Sequence, residues 1–131
     1  MAALTADRNT KWREGVNFQF PVAAATKIFA GSLVGINASN VAVPMTASTA
    51  LKSVGLAQEL ADNSAGAASA INVKVTRGLA LLANGETIVL SDIGATAYAN
   101  DDQTVYTTAT GRSAIGIIRD VTSEGVWVEF T

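Results

Sequence analysis

Turn residues interrupt this chain so often that no long helix fits between them. The longest apolar runs span about five to seven residues, far short of the ~20 that a membrane-spanning helix needs. No apolar repeat of period 3.6 extends beyond about ten residues. Strand-sized segments instead recur about every 8 to 12 residues, the spacing of a sandwich or barrel. The clearest is Ala70–Arg77, where Ile71, Val73 and Val75 alternate with Asn72, Lys74 and Thr76. An alternation of period 2 puts the first set on one face of a strand and the second on the other.

The same pattern predicts strands at Val16–Phe20, ending at Pro21, at Lys27–Ala30, at Leu33–Ile36, at Val41–Val43 and at Val54–Leu60. Later candidates are Leu79–Ala83, a strand through Tyr98, Thr104–Thr107, Ile115–Val121 and Val126–Phe130. Asn84-Gly85 is a hairpin signal and predicts that Thr87–Leu90 folds back as a strand. Ser91–Gly94 fits a single capped turn, and the Ala-rich stretch from Ala47 to Ala57 has room for a helical turn but no convincing cap. The expected fold is all-β, a small β-sandwich or β-barrel-like domain over residues 16–131, preceded by an extended N-terminal arm over residues 1–15.

The arm departs from the rest. It has no sustained period, yet it holds Trp12 and three of the nine basic groups, Arg8, Lys11 and Arg13. A frayed terminus has no use for a large apolar ring. Arg8, Lys11, Trp12 and Arg13 are therefore the candidate binding residues, with Trp12 as anchor and the cations facing acidic groups on a partner. Fifteen extended residues reach roughly 50 Å.

Composition removes most chemistry. The chain of 131 residues has no Cys and no His, so thiolate or imidazole metal sites, disulfides and catalytic groups built on Cys or His are excluded. Asp101-Asp102 follows Asn100 and suits a turn better than a carboxylate dyad. Asp62–Gly66 lacks the later bidentate Glu of a calcium loop. Gly31–Gly35 has neither the Gly-Lys-Ser/Thr run nor the helix of a phosphate cradle. Arg77, Arg119 and Trp127 fall within ordinary strand patterns. No catalytic residue, cofactor or metal is expected, and the protein is not expected to be an enzyme. Charged residues are 15 % of the chain with a net charge of −2, and no block of like charge suits nucleic acid or an anionic membrane. The N-terminus lacks the basic-then-apolar order of a secretory signal, so folding in a cytoplasm is expected.

Several segments carry a resemblance. Ala3-Leu4-Thr5-Ala6-Asp7-Arg8-Asn9-Thr10 resembles the opening of capsid cement (head decoration) proteins of tailed bacteriophages. The likeness continues through Val54–Glu59, Asp62–Ala67, Val73–Gly78, Asp92–Gly94, Asp101–Val105 and Gly125–Val128, in the same order over nearly the whole chain. The resemblance implies an all-β structural protein of the virion that binds the outer capsid surface, contacts the major capsid protein and bridges neighbouring capsomers against internal DNA pressure. It also implies a homo-oligomer, a trimer in preference to a dimer, assembled in the host cytoplasm, and it supplies no catalytic pattern. The alternative is a receptor- or glycan-binding β-module of the virion surface. Such a module favours exposed aromatics in loops, whereas both Trp residues fall in the arm and in a regular strand. A small enzyme requires carboxylates from distant strands to converge.

Overall fold

The computed structural model describes residues 2–11, 13 and 15–131. Strand takes 46 % of the chain and helix 2 %: the domain is all-β. In chain order the strands are β1 (Asn17–Pro21), β2 (Thr26–Ile28), β3 (Leu33–Ile36), β4 (Ala42–Pro44), β5 (Lys52–Ala57) and β6 (Ala61–Asn63). After them come β7 (Asn72–Thr76), β8 (Leu79–Asn84), β9 (Thr96–Ala99), β10 (Thr104–Tyr106), β11 (Ser113–Thr122) and β12 (Gly125–Phe130). A 3₁₀ turn, Leu90–Asp92, interrupts the series.

The two halves of the chain build different objects. The first seven strands make a sheet of order β1-β7-β5-β3-β4 and a short ribbon of β2 with β6. The last five close into a barrel of order β10-β8-β12-β11-β9. Closure removes the barrel's free edges. The ten-residue β11 shifts register once against β9, between Ala114 and Gly116, and once against β12, between Ile118 and Asp120. Such bulges add local twist and let a long strand follow a tight barrel wall.

Each object has its own core. Ile115, Ile118, Val126, Val128, Val105, Ala97 and Ala99 fill the barrel. Val22, Ile28, Val34, Ala42, Ala57, Ala61, Val73 and Val75 fill the space between the sheet and its ribbon. Strand β3 joins the two cores. Leu33 belongs to the barrel core and Val34 to the sheet core, because successive side chains of a strand leave opposite faces. Met45 and Leu51 accompany Leu33 on the barrel side.

The turn expected at Asp101 forms as such, whereas Asp62 and Asn63, expected in a loop, lie in β6 and the turn begins at Ser64. Asp101 Oδ1 accepts the N–H groups of Gln103 and Thr104 at 2.9 and 2.8 Å. Asp62 Oδ1 accepts both the N–H and the hydroxyl of Ser64. Beside it, buried Asn63 donates to the carbonyls of Ala23 and Ala67, both at 2.9 Å, and ties this loop to the segment leaving β1. Asp92 Oδ2 accepts the Val89 N–H at 2.9 Å, which caps the 3₁₀ turn. The Ala47–Ala57 stretch ends in β5 rather than in a helix.

A larger expectation fails at Asn84. Thr87–Leu90 is not a strand, and Asn84-Gly85 does not form a hairpin turn. A type I′ turn needs positive φ at both residues, and neither has it. Instead Asn84 Oδ1 accepts the Ile88 N–H while its Nδ2 donates to the Ile88 carbonyl, both at 2.9 Å. The loop therefore winds around a side chain. Gly85 is required for a different reason: a Cβ there would strike the Tyr106 ring and the Thr104 methyl. The next residue, Glu86, crosses to the far loop, where it accepts the N–H and hydroxyl of both Thr107 and Thr108. Strand β8 thus finds β10 in parallel, not a neighbour in sequence.

Two outcomes test this architecture. A Cβ at Gly116 would collide with the backbone of Glu129 and Phe130 across the β11–β12 ladder, so Gly116→Ala should destabilise by about 1–3 kcal/mol in denaturant unfolding. The hydrogen bond from the Thr107 hydroxyl comes first, with that from the Thr108 hydroxyl after it, in holding the Glu86 carboxyl down at about 2 from its usual 4.5. A depressed carboxylate contributes stability that is full above its unfolded value and is lost as pH falls through its folded one. Glu86→Gln should cost about 1–2 kcal/mol at neutral pH, and the gap to the native chain should close between about pH 4.5 and pH 2.

Candidate functional interface

Alternation along β1 separates two kinds of surface. Phe18 and Phe20 turn toward the sheet core and stack with ring centroids 6.1 Å apart. Asn17 and Gln19 take the opposite face, exposed, and register sets Gln19 against Lys74 of β7. Gln58, just beyond the end of β5, donates through Nε2 to Asn17 Oδ1 at 2.7 Å and to the Val75 carbonyl at 3.2 Å. Its own backbone N–H donates to the Lys74 carbonyl at 2.8 Å. These bonds hold the Asn17 and Gln58 carboxamides in place rather than leaving them to swing.

Together with Arg13 they line an open cleft of about 500 Å³ bounded by Arg13, Asn17, Phe18, Gln19, Gln58 and Lys74. The Arg13 guanidinium lies 5.0 Å from the centroid of the Phe18 ring, a cation–π arrangement that fixes the base of the arm against β1. Lys74 is 3.7 Å from Glu59, both well exposed, and such a pair is easily exchanged for another partner. Two cations beside three carboxamides present donors suited to carboxylates and to backbone carbonyls.

Of the four arm residues singled out from sequence, Arg13 alone lines this cleft among the described residues. Arg8 and Lys11 are exposed and form no ion pair there, and Trp12 lies outside the described residues. The arm from Ala2 to Lys11 is exposed throughout, with Leu4 71 % accessible. Its internal bond runs from the Thr10 N–H to the Arg8 carbonyl at 2.9 Å. Asn17, Gln19, Gln58 and Lys74 were not anticipated as a group. The alternation of β7 marks Lys74 as outward, but nothing local ties Gln58 to a residue 41 positions earlier.

A second surface stands on the barrel. Val89, Leu90 and Ile93 are exposed around the capped 3₁₀ turn, Leu90 to 61 %, and the Gly94 N–H bonded to the Ile118 carbonyl at 2.8 Å anchors the turn to β11. No group of three or more His, Cys, Asp or Glu side chains able to hold a metal ion occurs among the described residues, and no helix is long and apolar enough to cross a membrane.

Neither core includes a residue from 2–11 or Arg13. Deleting residues 2–14 should therefore leave the unfolding free energy within about 0.5–1 kcal/mol of the full chain, measured by urea titration of both proteins. No family model, curated protein or solved structure matches this chain.

Proposed function

We propose that this protein is a non-enzymatic cement for a phage capsid, bound to the outer face of the shell through its arm. The observation that carries the reading is the arm itself. Ten consecutive residues before Trp12, other than Met1, are exposed and outside both cores, and they lead into a cation held over Phe18. Ordering such a segment costs about 1–2 kcal/mol per residue, so it becomes fixed only where a partner surface supplies contacts. Trp12 and the three cations are the groups able to supply them. The sequence resemblance supports the same reading and names the partner, the major capsid protein.

The mechanism is mass action. A protein that binds the assembled shell but not its dissociated subunits stabilises the shell by that difference in affinity. An arm with a reach of roughly 50 Å extends the footprint from one capsomer to its neighbour, while the β-domain stays on the first. The cleft at the arm's base then receives acidic or carbonyl groups where the arm departs.

Co-sedimentation with expanded, empty phage capsids tests this. The full chain should pellet with the shells, and deletion of residues 2–14 should weaken binding tenfold or more, at least ~1.4 kcal/mol. Trp12→Ala should reproduce much of the loss, and Arg13→Ala a smaller share. Equal binding by the truncated and full chains sinks the arm mechanism. Retention on glycans with no binding to shells favours the receptor-binding alternative.

A further inference from the structure

We propose that the cleft between the Phe29–Ser32 turn and the turn before β10 is a saccharide-binding site for a single neutral sugar ring, an activity separate from attachment to a shell.

Two turns from different halves of the chain build the cleft. The strand expected over Lys27–Ala30 stops at Ile28. Phe29 then opens a turn that the Ser32 N–H closes on the Phe29 carbonyl at 3.1 Å. Gly31 holds the third position with φ 83°, the conformation that a type II turn takes there. The Gly31 N–H donates to the Ala57 carbonyl at 2.8 Å, and the Leu33 N–H donates to the Asp102 carbonyl at 2.8 Å. These two bonds tie the turn to the end of β5 and to the segment before β10. The facing turn is equally fixed. Asp101 Oδ1 accepts the Gln103 N–H, and the Gln103 carbonyl accepts the Ala83 N–H at 2.9 Å. A site held in this way gives up little freedom when a ligand enters.

The side chains select the ligand. Phe29, Ala30, Gly31, Ser32, Asp102 and Gln103 line an open cleft of about 220 Å³, and Phe29 is 59 % accessible. A lone exposed ring is ordinary. Here the ring shares a cleft with a carboxylate and a carboxamide that have no hydrogen bond or ion pair among the described residues. Charge narrows the choice. The Lys27 ammonium stands 5.5 Å from the Phe29 ring centroid and 3.9 Å from Asp62, so the ring's cation position is already taken. Lys27 does not line the cleft, which leaves the cleft side of the ring open. The Asp102 carboxylate repels an anion. A neutral ligand with an apolar face and several hydroxyls satisfies all three groups. Its C–H face lies on the Phe29 ring, whose face is the negative part of the quadrupole. Its hydroxyls donate to Asp102, and Gln103 both donates and accepts. A pyranose has this make-up.

The cleft is smaller than the about 300–1,000 Å³ of drug-sized sites, so it holds one ring, with about millimolar affinity. On a shell carrying many copies, which rests on the reading above, such weak sites gain strength by avidity.

The full chain, labelled with ¹⁵N, is titrated with the methyl glycosides of glucose, galactose, mannose and N-acetylglucosamine up to about 50 mM. At least one should shift the amide signals of Gly31, Ser32 and Gln103 in a saturable manner. Phe29→Ala and Asp102→Ala should each weaken that binding at least fivefold with an unchanged melting temperature, and Leu79→Ala, on the barrel, should leave it intact. Deletion of residues 2–14 should also leave it intact, so failure of the arm mechanism and failure of this site are read separately. Should either cleft variant fail to fold, the location of the shifts in the native chain decides alone. Four inert glycosides, shifts confined to other parts of the chain, or binding indifferent to Phe29→Ala overturns the proposal.

Discussion

Leu33 and Val34 are adjacent in sequence and belong to different cores, and the rest of the molecule is arranged around that division. A strand buried on both faces has no polar side to give to water. Its neighbours must then supply apolar surface twice, and they do so from different halves of the chain. Val73 and Val75 meet Val34 from β7, whereas Ile115, Ile118 and Val128 lie on Leu33's side from β11 and β12. Strand β1 at the sheet's edge and its neighbour β7 are freed from this double duty. Their second face is left to Asn17, Gln19 and Lys74, and the polar cleft occupies it.

Legibility in the sequence followed the range of the forces involved. The alternation of Val73, Lys74 and Val75 is a local property of one strand, and burial matches it residue by residue. The turn at Asp101 is equally local, since a carboxylate reaching the amides two and three residues ahead needs no help from elsewhere. Asn84-Gly85 misled because its most familiar local solution competes with distant ones. Glu86 bonds Thr107 and Thr108, more than twenty residues away, and Gly85 yields space to Tyr106. The division into two cores left a trace in the uninterrupted run Leu33-Val34-Gly35-Ile36, but such a run does not say which face meets which partner. Gln58 and Asn17 meet only because register and sheet order bring them together.

In the proposed mode of binding, the arm and the domain divide the physical labour. The domain's own cohesion comes from apolar area that the described residues of the arm do not share, so changes in those residues need not disturb it. Arg13 is the hinge point between them: its guanidinium is held by a ring that belongs to the sheet, while residues 2–11 remain in water. A segment tethered in this way searches a limited volume, which raises its effective concentration at any surface the domain has already found.

The cage around Asn84 bears on the chemical ageing of the protein. An asparagine followed by glycine is prone to lose its amide when the glycine nitrogen attacks the side-chain carbonyl carbon and closes a succinimide ring. Here the Gly85 N–H is committed to the Val105 carbonyl at 3.0 Å, and both ends of the Asn84 carboxamide are tied to Ile88. Neither reactant is free to turn toward the other while the loop stays closed. Deamidation at this position therefore keeps time with local opening of the barrel rather than with the age of the folded chain.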